Sequence, residues 1–186
     1  MKTCLVGYTP DHAGQEALAL ARVMTATSGG AIVVCTVTPE VWGHPSLTAV
    51  DKEYADFLAE HSQAALDKAR AQLNDAPNVR YIKYTARSAT VGLTEAAKQE
   101  AADIIVPGSS RDGMSGRLSI GGVADEIMHL SEIPVAVAPR DYRAKTGVQL
   151  PRLTCAYSGS VDASGTVLEA VGLANALGVP LRLVSF

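Results

Sequence analysis

Apolar residues come in short unbroken runs along this chain, and most runs are followed by a stretch in which they recur every three or four positions. The first run is TCLVGY (3–8). Ala17, Leu20, Ala21 and Met24 then share one helical face, before SGG at 28–30 closes the pattern. Continuous apolar runs predict strands buried on both faces, and the i, i+3, i+4, i+7 spacing predicts an amphipathic helix. AIVVCTV (31–37) predicts a second strand, and the prolines and glycine of 38–46 a loop. A long helix is expected from about Val50 to Leu73, with Leu58, Ala65, Ala69 and Leu73 on one side. APN (76–78) breaks it, and VRYIKYT (79–85) alternates as a half-exposed strand should. Ser88 is the expected N-cap of a helix turning Leu93, Ala96, Ala97 and Ala101 inward. DIIVPG (103–108) predicts a fourth strand and PVAVAP (134–139) a fifth, with a helix between them burying Val123, Ile127 and Leu130.

Strands that alternate with helices and are apolar throughout predict an α/β fold: an open, parallel, five-stranded sheet with helices on both faces, Rossmann-like. Right-handed crossovers gather the strand-to-helix loops on one edge, where such sheets bind ligands. One of those loops stands out. Residues 106–122 (VPGSSRDGMSGRLSIGG) hold five glycines and four serines. Small residues leading into a helix offer backbone N–H groups and a positive dipole end to an anion, although a flexible turn has the same composition. Gly108 lets the chain turn off the fourth strand, and Gly121 and Gly122 stand at the helix start.

After this unit comes RDYRAKTGVQLPR (140–152), polar, with four arginine or lysine residues and no apolar period, which reads as a linker. The opening pattern then restarts. Sliding the sequence by 149 positions lays Tyr157 on Tyr8, Ser158 on Thr9, Ala170 on Ala21 and Gly178 on Gly29. The expected organisation is a full domain over 1–140, a linker over 141–152, and the β-α-β beginning of a second copy over 153–186.

Composition narrows the function classes. The 186 residues are 47% hydrophobic and 19% charged with a formal net charge of −3, an ordinary globular balance. The sixteen basic residues are scattered, which argues against a nucleic-acid footprint. No apolar stretch approaches the ~18 residues of a membrane span, and no signal-peptide pattern precedes the first strand, so a cytoplasmic protein is expected. Cys4, Cys35 and Cys155 lie in apolar runs and read as small buried hydrophobes, and the four histidines share no ligand-like spacing. These residues imply no metal site.

Strand-VPG, the glycine-rich loop, GGVADEIMHLSEIPVAVAPR and the opening CLVGYTPD together resemble the universal stress protein family. The likeness covers 3–140 as one domain and 153–186 as part of another, the tandem arrangement of some members. It implies a strand order of 3-2-1-4-5 and, as in many members, an ATP or other adenine-nucleotide site. The family signature (Gly, two residues, Gly, nine residues, Gly, Ser or Thr) falls on Gly108, Arg111, Gly121 and Gly122. Arg111 and Gly122 depart from it, and Thr9 stands where nucleotide-binding members carry an aspartate. The resemblance puts the adenine near Thr9 and Val37, and the phosphates on Gly108, Ser110, Gly121, Gly122 and Val123. Arg111 serves either as a cationic donor to phosphate or as a plug in the pocket.

The implied function is a cytoplasmic stress-response regulatory module with a weakened nucleotide pocket. The alternative is an interaction and dimerisation module of the same fold with the pocket closed. Pairing through the strand at 134–139, with Val135 and Val137 at the contact, is expected in a homodimer or pseudo-dimer; protein partners are not identifiable. Catalytic readings find little support. Asp11 and His12 are adjacent on a turn, which is not an arrangement of base and orienter, and no nucleophile elbow is present. At most a slow ATP hydrolysis is implied, with no residue to name as base. SGSVDAS (158–164) is similar to a pyrophosphate loop but reads more simply as a helix cap with Asp162. Arg117 reads as solvated, and Trp42 as covering a core edge.

Overall fold

The computed structural model describes residues 1–40, 49–108, 121–143, 147–158 and 163–185. Eleven elements follow in order: β1 (Thr3–Gly7), α1 (His12–Ser28), β2 (Ala31–Pro39), α2 (Ala49–Gln72), β3 (Val79–Ala86), α3 (Ala89–Gln99), β4 (Ile104–Val106), α4 (Gly122–Leu130), β5 (Leu153–Tyr157), α5 (Ala163–Leu177) and β6 (Leu181–Ser185). Local chemistry sets several of these boundaries. Asp11 caps α1, its carboxylate accepting the Gly14 N–H at 2.9 Å, and Gly29 ends the helix in the left-handed region at φ 71°. Ser88 caps α3 through the Val91 N–H.

The main sheet is parallel, in the order β3-β2-β1-β4. It carries an apolar layer on each face. Cys4, Val6, Ile32, Val34, Ile104 and Val106 pack under α1 and α2 with Ala17, Ala21, Ala65 and Ala69. Leu5, Val33, Cys35 and Ile105 pack under α3 and α4 with Leu93, Ala96 and Ile127. Fully burying each Val, Leu or Ile contributes about 1.5–3 kcal/mol, so continuous apolar strands between two helical layers hold the unit together.

The expected fifth strand is present only in outline. Val135 forms a single parallel bridge with Ile105, through Ile105 N–H to the Pro134 carbonyl and Ala136 N–H to the Ile105 carbonyl, both 2.9 Å. The adjoining β4 is three residues long, and Pro134 and Pro139 have no N–H to extend the ladder. Two helical faces also differ from expectation. Ala101 lies past the end of α3 at φ 47°, exposed. On α4, Ala124 and Ile127 are the buried pair, while Val123 and Leu130 face outward.

The second unit, β5-α5-β6, forms its own two-stranded parallel sheet. Leu153 lies opposite Leu181, the same sequence spacing as Thr3 opposite Ala31 in the first unit. The segment joining the units runs along α1. Asp141 N–H donates to Glu16 Oε1 at 2.8 Å, Leu150 N–H to Thr27 Oγ1 at 2.9 Å, and Gln149 Nε2 to the Ala26 carbonyl at 3.1 Å. The Met1 ammonium donates to the Ala176 carbonyl of α5 at 2.9 Å.

Candidate functional site

The C-terminal ends of β1, β2 and β4 meet the N-termini of α1, α3 and α4 around a cleft of about 410 Å³. This is the sheet edge to which right-handed crossovers deliver loops. Close packing shapes one wall. A Cβ on Gly7 would overlap the Leu93 side chain and one on Gly92 would overlap Val37, so α3 lies tight against the ends of β1 and β2. On the opposite side, a Cβ on Gly14 would collide with the Thr9 carbonyl oxygen, which brings the first turn of α1 hard against the end of β1. Only glycine fits there.

Six of the eight residues proposed from sequence line the cleft: Thr9, Val37, Gly108, Gly121, Gly122 and Val123. Ser110 and Arg111 lie outside the described residues, as do Trp42, Arg117 and Asp162. Gly121 is the N-cap of α4 and supplies no side-chain cap; the first helical hydrogen bond runs from Asp125 N–H to the Gly121 carbonyl. The N–H groups before Asp125 therefore have no partner within the helix, and among the described residues no side chain caps them beside the cleft.

Sequence reasoning missed the part played by Asp11. Its Oδ1 accepts both the Gly14 N–H and the Thr9 hydroxyl, each at 2.9 Å. The Thr9 proton is thereby committed, and Thr9 Oγ1 is left as an acceptor toward the cleft. Asp11 also lines the cleft, where it is the one charged side chain among the described lining residues. Its signal was legible, since an aspartate immediately before a helical apolar period is an N-cap pattern. Thr36 and Tyr8 also line the cleft, and the Thr36 hydroxyl is buried with no hydrogen-bond partner among the described residues. Burial and the nearby Asp11 charge raise the Tyr8 pKa. Cys35, also lining the cleft, has its thiol pushed up to about 12 by burial and by the Glu100 charge, so it offers no thiolate. Among the described residues no three His, Cys, Asp or Glu side chains gather as a metal site, and no helix is long and apolar enough to cross a membrane.

A sequence model of the universal stress protein family matches residues 1–139. The chain belongs to that family. A universal stress protein of Mycobacterium tuberculosis is 34% identical across 99% of this chain, which in turn spans 64% of that relative's length. Among solved structures, a universal stress protein from Archaeoglobus fulgidus superposes with a TM-score of 0.68 at 17% identity, over 98% of this chain and 66% of that one. Another, a universal stress protein in complex with cAMP, superposes with a TM-score of 0.56 at 20% identity, over 75% of this chain and 98% of that one. The shared architecture is a parallel sheet covered by helices on both faces.

Proposed function

We propose that this universal stress protein is a cytoplasmic, nucleotide-responsive regulatory module that binds an adenine nucleotide in the cleft at the ends of β1, β2 and β4. The observation that carries the reading is the start of α4 at Gly121 and Gly122, whose N–H groups no side chain caps among the described residues, beside Gly108, on one wall of a cleft of about 410 Å³. The phosphates lie against those N–H groups, and Ser110 and Arg111, which lie outside the described residues, are the further phosphate contacts that the family signature implies. The base lies toward Thr9 and Val37. Thr9 replaces a carboxylate with a neutral acceptor, which weakens selection of the nucleoside more than it weakens phosphate binding. A nucleotide-bound Mg accompanies the phosphates. Support by analogy comes from the structural neighbour solved with cAMP.

The module performs no demanding chemistry. Its donors hold and orient a nucleotide, and no side chain is assigned as a base. Residues 1–140 form the binding domain, 141–152 the connecting segment, and 153–186 the beginning of a second repeat. Pairing through 134–139, with Val135 and Val137 at the contact, makes a homodimer or pseudo-dimer. Calorimetric titration with ATP, ADP and AMP is expected to show saturable binding in the micromolar to millimolar range, and Gly122→Pro, which removes one of those N–H groups, to weaken it. Absence of heat and of any thermal shift with all three nucleotides overturns the reading and leaves an interaction module of the same fold.

A further inference from the structure

Thr9 and Asp11 are joined by a hydrogen bond that changes what the start of α1 offers to the cleft. Asp11 Oδ1 accepts the Gly14 N–H, which caps the helix, and the Thr9 hydroxyl, each at 2.9 Å. Two donors fill the two lone pairs of that oxygen. Among the described residues no group donates to the other, Oδ2. The Thr9 hydroxyl gives its one proton to Asp11, so its oxygen can only accept. Both residues are exposed, and both line the cleft.

The pair is held from behind. A Cβ on Gly14 would stand 2.0 Å from the Thr9 carbonyl oxygen, so only glycine lets the first turn of α1 lie this close to the end of β1. Main-chain packing therefore sets the approach of Asp11 to Thr9 before any ligand arrives, which lowers the ordering cost of binding. The lining of the cleft is unequal as a result. The start of α4 offers main-chain donors, while the start of α1 offers acceptors and the one charge among the described lining residues. A carboxylate repels phosphate and attracts O–H donors. The anionic part of a ligand belongs with Gly121 and Gly122, and the part beside Asp11 has to bring protons.

We propose that Thr9 and Asp11 select ribose over deoxyribose in this cleft, with Asp11 both a direct acceptor and the positioning residue that holds the Thr9 proton. The inference rests on the nucleotide reading and names the sugar that reading leaves open. A ribose diol presents two neighbouring O–H donors, one for Thr9 Oγ1 and one for Asp11 Oδ2. A deoxyribose leaves one of those acceptors without a donor. The pair does not act as a single aspartate at position 9 would, because the charge stands two residues further on and reaches that position through a neutral hydroxyl.

Calorimetric titration of the full chain with ATP, 2′-deoxy-ATP and 3′-deoxy-ATP tests this. ATP is expected to bind about tenfold more tightly than either deoxynucleotide, the scale of one hydrogen bond to a charged group. Asp11→Asn keeps the cap on α1, since asparagine caps as well as aspartate, but it turns the second oxygen into a donor. It is expected to bring the ratio close to one. Any general effect of the lost charge on phosphate falls on all three nucleotides and cancels in the ratio. Thr9→Val is expected to lower the ratio and Thr9→Ser to retain it, with thermal unfolding showing that each variant is folded. Equal binding of the three nucleotides by the unaltered chain overturns the inference and leaves the nucleotide reading standing. A preference for ATP that survives in both Asp11→Asn and Thr9→Val also overturns it and places the sugar elsewhere in the cleft. Binding of none of the three overturns the nucleotide reading itself, and the inference with it.

Discussion

The two β-α-β units of this chain are built to one plan and end in different environments. β1-α1-β2 and β5-α5-β6 share strand direction, pairing offset and a left-handed glycine after the helix, Gly29 at φ 71° and Gly178 at φ 69°. In the first unit Ile32 and Val34 are 2% and 0% exposed, under α1 and α2. In the second, Leu183 at the place of Val34 is 47% exposed. The opposite faces diverge in sequence as well: Leu5 and Val33, both buried, correspond to Thr154 and Arg182, both exposed. Local patterning is enough to specify the unit. Burial depends on the neighbours, and among the described residues only the first unit has further strands, β3 and β4, in its sheet and helices on both faces.

The comparison is broken most directly by truncating equivalent positions. Ile32→Ala is expected to cost about 2–5 kcal/mol in urea unfolding, because it opens a cavity in a closed core. Leu183→Ala is expected to cost about 1 kcal/mol or less, since half of that side chain already meets water. Equal losses from the two would mean that the second unit is covered as fully as the first.

A smaller effect separates the helix starts. Gly14 corresponds to Ala163, yet a Cβ on Gly14 would strike the Thr9 carbonyl. Gly14→Ala is expected to destabilise by about 1–3 kcal/mol and to weaken nucleotide binding by moving Thr9. Ala163→Gly in the second unit should leave binding untouched. Thermal unfolding and titration on the two variants check this.

Where the units agree, matched variants should behave alike. Alanine at Gly29 or at Gly178 forces a side chain into the left-handed region, at about 1–2 kcal/mol each. Hydrogen exchange is the suitable readout, because opening of the less covered unit need not unfold the other. A cost confined to Gly29 would show that the second helix does not depend on its cap.

The smallest effect is one of pH. Burial alone would raise the Asp103 pKa, but the Thr3 and Lys2 backbone N–H groups, at 2.8 and 2.6 Å, together with the N-terminal and Lys2 charges, lower it. The stabilisation is fully present above the ordinary carboxylate pKa of about 4 and is lost as pH falls through the depressed folded value. Asp103→Asn is expected to flatten that acid limb of the stability curve. At the corresponding place in the second unit Pro151 stands where Lys2 does and has no N–H to give, so one of the two donors is missing there.

Much of the fold is legible in the sequence because the signals are local. The runs at 3–8, 31–37 and 103–108 are apolar without interruption, and only a strand covered on both faces uses such a run well. Ser88 and Gly29 mark helix ends by side-chain capping and by backbone freedom. The glycine-lined wall of the cleft was readable for the same reason, since Gly108, Gly121 and Gly122 stand out as small residues around a strand end and a helix start. Asp11 was harder to value. Its hydrogen bond to Thr9 depends on how tightly Gly14 lets α1 approach β1, and spacing alone does not encode that distance.

The amino-acid sequence by itself determined the order and kind of the elements, the doubled β-α-β pattern and the family, since these rest on periodicity, capping and motif within short windows. The tertiary structure alone decided which apolar faces find cover. Periodicity counts Val123 and Leu130 as inward, but α4 is placed so that Ala124 and Ile127 take the contact. The run at 134–139 has strand character, but a three-residue partner and two prolines reduce it to one bridge. A side chain carries its own hydrophobicity. The surface that buries it belongs to the rest of the chain, and that is fixed only when the elements pack.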